Sequence, residues 1–80
     1  MLKYKLSRED DDDCIYFYYP EGKEDYGIIT INKKTGKITV NSLAKEDQGI
    51  RIFYAYKLVR RLEEFYRTGE YRDSGMVAWY

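Results

Sequence analysis

The chain has 80 residues, 14 basic and 14 acidic, with ten tyrosines, one cysteine and no histidine. One domain, 1–80, is expected; a chain this size buries only about 60% of its unfolded surface, and balanced charge gives the whole-chain field no pull toward nucleic acid. A single cysteine excludes an internal disulfide, the lack of histidine removes most metal and triad arrangements, and no 18-residue apolar run is present to cross a membrane.

Leu2, Tyr4 and Leu6 alternate with Lys3 and Lys5, the pattern of a first strand with one wet face. The amino-terminal residues carry no signal-peptide core, so the cytoplasm is the expected compartment. Glu9, Asp10, Asp11, Asp12 and Asp13 follow; five consecutive carboxylates repel one another and favour a solvated turn. Cys14 to Tyr19 is rich in β-formers and reads as a second strand, with Ile15, Phe17 and Tyr19 on one side and Cys14, Tyr16 and Tyr18 on the other. Pro20 to Asp25 is a turn.

Tyr26 to Asn32 is the third strand, directing Ile29 and Ile31 to one side and Ile28 and Thr30 to the other. Asn32-Lys33-Lys34-Thr35-Gly36 spells a hairpin: Asn32 can bond its own backbone ahead, and Gly36 can take a positive φ. Lys37 to Leu43 returns as the fourth strand, with Ile38 and Val40 inward and Thr39 and Asn41 outward.

The spacing then predicts the one helix, from Asp47 to Arg67. Asp47 is a good N-cap, and Ile52, Ala55, Tyr56, Val59, Leu62, Phe65 and Tyr66 recur at three- and four-residue steps as a buried stripe. Arg51, Lys57, Arg60, Arg61, Glu64 and Arg67 fill most of the gaps, and Gly69 stands where a left-handed C-cap belongs. Such a rod is roughly 30 Å long and can cover a small sheet. Chains seldom end on residues such as Met76-Val77-Ala78-Trp79-Tyr80 unless they are packed, so these form a last strand, with Val77 and Trp79 meeting the helix. The expected fold is α+β: an antiparallel meander of four strands, one long helix packed on one sheet face and a short C-terminal strand, ββββαβ. The last strand should pair with the first, in a direction the sequence leaves open.

The terminal Gly75-Met76-Val77-Ala78-Trp79-Tyr80 and the Tyr18-Tyr19-Pro20-Glu21-Gly22 turn resemble a family of small uncharacterised bacterial proteins of similar length, often found near mobile elements or prophages. The resemblance implies a bacterial, single-domain, intracellular protein and no assigned site.

Chemistry is sparse. Cys14 follows an acidic run that would raise its thiol pKa, which favours a structural role. The acidic run lacks the spaced ligands and glycine of a calcium loop, and Thr35-Gly36-Lys37 joins two strands instead of opening a helix. Glu63 and Glu64 project about 100° apart and do not converge. No enzyme, cofactor or metal is expected. Charge is uneven, with a net −6 over residues 7–25 and +3 over residues 50–72. The leading expectation is a small non-enzymatic protein-interaction module, a regulator or inhibitor from a mobile element. It would bind through an open sheet face holding Tyr16, Tyr18, Ile28, Thr30 and Thr39, aided by Asp10, Asp11, Asp12 and Asp13. The alternatives are nucleic-acid binding by Arg51, Lys57, Arg60, Arg61, Arg67, Lys33 and Lys34, or a homodimer through the open face or an edge strand.

Overall fold

Alternation along the first strand sets the layers: Leu2 and Tyr4 are buried while Lys3 and Lys5 stand in solvent. The computed structural model describes residues 1–49 and 52–79. It contains β1 (Leu2–Glu9), β2 (Asp13–Pro20), β3 (Gly27–Asn32), β4 (Ile38–Ser42), a single 3-10 turn (Lys45–Asp47), α1 (Tyr54–Thr68) and β5 (Ser74–Val77). The strands form one antiparallel sheet in the order β4-β3-β2-β1-β5, with α1 packed on one face. This is the ββββαβ arrangement expected from the pattern, and the last strand runs antiparallel to the first.

The hairpin between β3 and β4 forms as its residues dictate. Asn32 Oδ1 accepts from the Lys34 and Thr35 amides at 2.9 Å each, and Gly36 adopts a φ of 78°. The helix stops where expected, at Gly69, also with a φ of 78°, whose amide donates to the Phe65 carbonyl at 2.8 Å.

Its start differs from the sequence expectation. The helix begins at Tyr54, not Asp47, and at 15 residues is only about 22 Å long. Asp47 nevertheless caps it from a distance. Folded back in the 3-10 turn, its Oδ1 accepts from the Phe53 and Tyr54 amides at 2.9 and 2.7 Å, and its Oδ2 from the Ala55 amide at 2.9 Å. Three of the orphan donors at the helix entrance are thus satisfied by one carboxylate, which also sits at the positive end of the dipole.

The buried stripe also shifts. Ala55, Leu58, Leu62 and Phe65 face the sheet, whereas Tyr56 and Tyr66 are exposed and Ile52 precedes the helix. Leu58 was masked in the pattern by neighbouring tyrosines of similar apolar weight. A leucine has no hydroxyl to leave unpaired, so the helix turns Leu58 inward and leaves its tyrosines at the rim.

The largest correction concerns β2. Tyr16 and Tyr18 lie on the helix side and are fully buried, while Ile15, Phe17 and Tyr19 are half-buried on the other face. Complete burial of tyrosine requires a partner for its hydroxyl, and both have one. The Tyr16 hydroxyl donates to the Arg72 carbonyl at 2.8 Å. The Tyr18 hydroxyl donates to Asp47 Oδ2 at 2.6 Å and accepts from the Ala44 amide at 3.0 Å. Gly27, paired with Tyr18 across the sheet, leaves the space that the Tyr18 ring fills; a Cβ there would overlap the ring. Tyr4, Tyr16 and Phe65 complete an aromatic cluster with centroids 5.9 to 6.2 Å apart.

The last strand is Ser74–Val77 and not Met76 to Tyr80; Tyr80 lies outside the described residues, as does Arg51, which the spacing places on the helix. Val77 enters the core and Trp79 packs on Phe53 and Tyr54.

Asp47→Ala leaves three backbone donors and the Tyr18 hydroxyl without their acceptor, and should cost about 3 kcal/mol. Tyr18→Phe removes one bond to Asp47 and strands the Ala44 amide, at about 1–2 kcal/mol. Denaturant titration followed by far-ultraviolet circular dichroism checks both, and their double mutant should cost less than the sum because they share one network.

Candidate functional site

Once α1 has covered one side of the sheet, the alternation of strand residues decides what the other side displays. On β2 it displays Ile15, Phe17 and Tyr19. Across the strand pairs, Lys3 lies opposite Tyr19, Lys5 and Ile28 opposite Phe17, and Thr30 opposite Ile15. Beyond these, Met76 pairs with Lys3 and Thr39 with Thr30. Phe17 stacks on Tyr26, with centroids 4.6 Å apart and planes at 20°, and Tyr19 leans on the same ring at 5.9 Å. Tyr26 and Met76 are 44% and 54% exposed, so the cluster stands partly in water. Thr30 donates from Oγ1 to Asn41 Oδ1 at 2.7 Å, which extends a polar margin toward β4.

The expected surface is therefore half recovered. Ile28, Thr30 and Thr39 lie on the uncovered face, while Tyr16 and Tyr18 do not; Phe17, Tyr19 and Tyr26 take their place. Hydrophobic alternation could not choose, because β2 is apolar on both faces. Only Gly27, which makes room for the ring opposite it, hinted at the side on which Tyr18 would lie.

The acidic turn and the lysine-tipped hairpin, expected to serve separate partners, lie side by side at one end of the sheet. Lys33 Nζ is 2.9 Å from Glu9 and Lys34 Nζ is 2.8 Å from Asp12, while the Lys33 amide donates to the Asp12 carbonyl at 2.6 Å. Asn32 Nδ2 donates to Asp13 at 3.3 Å. Asp10 turns its Oδ1 onto the Asp12 and Asp13 amides at 2.9 and 2.8 Å, and these bonds hold its pKa below the ordinary value. Backbone capping and the two ion pairs thus account for much of this charge locally. Each exposed pair adds little stability, but together they weaken the field that either patch presents.

The basic face of α1 borders a second surface. Lys57, Arg60, Arg61 and Arg67 line a groove of about 580 Å³ against Val77, Ala78 and Trp79, with Glu63 and Glu64 also at its wall. Lys57 Nζ lies 5.0 Å from the Trp79 ring centroid and 5.2 Å from that of Phe53, an arrangement that holds its charge over two aromatic faces.

Among the described residues no group of His, Cys, Asp and Glu converges to hold a metal ion. No helix among them is long and apolar enough to cross a membrane. Cys14 is buried, and burial first, then Glu9, pushes its thiol up to about 11. Comparison with protein-family models, with curated proteins and with solved structures finds no match.

Burial raises the Tyr16 and Tyr18 hydroxyls above their ordinary value of 10.0, and the bond to Glu21, ahead of burial, raises Tyr54 to about 12. Folded-state values above the unfolded one mean that these groups support the fold fully below pH 10, and that this support is lost as pH rises beyond it. An alkaline titration followed by phenolate absorbance should therefore show a late group of tyrosines that ionises together with unfolding. Cys14 should likewise resist a thiol-alkylating reagent at mildly alkaline pH until denaturant is added.

Proposed function

We propose that this chain is a small protein-interaction module, a regulator or inhibitor that docks a partner on the uncovered face of its sheet. The observation that carries this reading is the Phe17, Tyr19 and Tyr26 cluster, half in water and bordered by Lys3, Lys5 and Met76. Tyrosine and phenylalanine supply large contact area at low entropic cost, and flanking cations set register more than affinity. The partner this chemistry fits presents an apolar anchor for the aromatic cluster and carboxylates for Lys3 and Lys5. The acidic turn plays a secondary part, since Glu9 and Asp12 are already paired with lysines.

A second reading, nucleic-acid binding, is favoured by the groove between α1 and the end of the chain after β5, which four cations and Trp79 line, with Lys57 over the indole. Lys33 and Lys34 belong to the other patch and do not support it. Arginines can fork onto phosphates, and an indole offers a face for a base.

Phe17→Ala and Tyr26→Ala should abolish retention of a partner from a host extract while lowering Tm by no more than a few degrees, since both rings are partly exposed. Retention untouched by either change would refute docking on this face. For the second reading, fluorescence anisotropy with a single-stranded oligonucleotide is the check. Binding through four cations should weaken with a log–log salt slope of at most about −3, and Arg60→Glu should weaken it further.

A further inference from the structure

The β4 strand forms one free edge of the sheet, and its five residues, Ile38-Thr39-Val40-Asn41-Ser42, contain neither a charge nor a proline. Exposed edges are ordinarily guarded by charges, prolines, bulges or shortness; β4 is short and bulged at Asn41, and carries neither of the first two. Beside this edge runs an apolar groove of about 290 Å³ between β4 and α1, lined by Ile38, Val40, Ile52, Ala55, Tyr56 and Val59. Val40 is 42%, Ile52 47% and Tyr56 65% exposed, so large apolar groups stand in water along the open edge.

We propose that β4 is a self-association edge, on which a second copy of this chain pairs its own β4 antiparallel, with Val40 at the two-fold axis. The occupant follows from the strand's own chemistry. Isologous pairing sets each residue against a residue of the same strand, so a charge near the axis would meet its like. Over the five residues of β4 there is none. The phase of the ladder also suits it. Asn32 donates its amide to the Lys37 carbonyl at 2.8 Å, and alternation along an antiparallel pair then turns the N–H and C=O of Ile38 and Val40 away from β3. Pairing centred on Val40 gives the Val40 groups partners across the axis, while the bulge at Asn41 turns Ser42 back toward Ile28 and keeps the shared ladder short.

The same operation covers the groove. The two-fold axis of an antiparallel strand pair stands perpendicular to the sheet, so both helices lie on one face of the joined sheet. Ile52, Tyr56 and Val59 of each copy then flank the same seam, together with Val40. One contact thereby satisfies open backbone groups and removes apolar surface from water.

Sedimentation equilibrium from micromolar to millimolar concentration tests the proposal, with circular dichroism to confirm folding. The wild-type chain should be a dimer. Val40→Lys places two cations at the axis and should weaken dimerisation about 100-fold or more; Val40→Glu should do the same. A mixture of these two variants should recover a heterodimer. Tyr56→Glu, on the helix side of the seam, should also dissociate the dimer without altering the sheet. Phe17→Ala, on the other face, should leave it intact, which separates this edge from docking on the uncovered face. A wild-type chain that stays monomeric throughout, a dimer indifferent to Val40→Lys or Tyr56→Glu, or a lysine–glutamate mixture that remains monomeric would each overturn the proposal.

Discussion

One buried carboxylate holds the entrance to the helix. Asp47 is 1% exposed, and it accepts bonds from the Phe53, Tyr54 and Ala55 amides and from the Tyr18 hydroxyl. A charge taken out of water is tolerable only with such complete partnering. Two things follow from it. The helix receives its cap from a residue outside itself, and the central strand β2 is tied to the connection between β4 and α1. Tyr16 performs the matching task at the other end, where its hydroxyl binds the Arg72 carbonyl between α1 and β5. Both segments that lead into and out of the helix are thus anchored to the same strand.

That anchoring explains why the high tyrosine content divides as it does. Tyr4, Tyr16 and Tyr18 bury their rings beneath the helix, and the described residues leave no buried side-chain polar atom without a hydrogen bond. Tyr19 and Tyr26 remain on the uncovered face with Phe17, where their rings support one another and their surfaces stay partly wet. Tyr56 and Tyr66 lie at the helix rim. The same residue type therefore serves as an internal tether, a surface platform and a boundary group, according to where each strand or helix position places it.

The electrostatic layout is less polar than a reading along the chain suggests. Meander topology puts the β1–β2 turn next to the β3–β4 hairpin, so the acidic run and the lysines meet end to end. The cations of α1 remain grouped on a different side, around Trp79. For a partner, the readable features are then an aromatic sheet face bordered by lysines and a basic groove, with the acidic turn reduced to its outer aspartates.

The sequence by itself determined the element order, the hairpin at Asn32 to Gly36, the helix stop at Gly69 and the inward set of β3, because turn chemistry and clean alternation are local properties. It also identified Asp47 as a cap, since a short carboxylate before an amphipathic run has few other uses. Tertiary structure alone decided that this cap would act across six to eight residues, that Leu58 would displace Tyr56 from the stripe, and that Tyr16 and Tyr18 would turn inward. The physical reason is common to all three. A strand apolar on both faces, or a helix with more apolar residues than its contact can bury, leaves several rotations nearly equal in hydrophobic energy. The choice among them falls to hydrogen-bond partners and to open space, such as that above Gly27, supplied by residues distant in the chain.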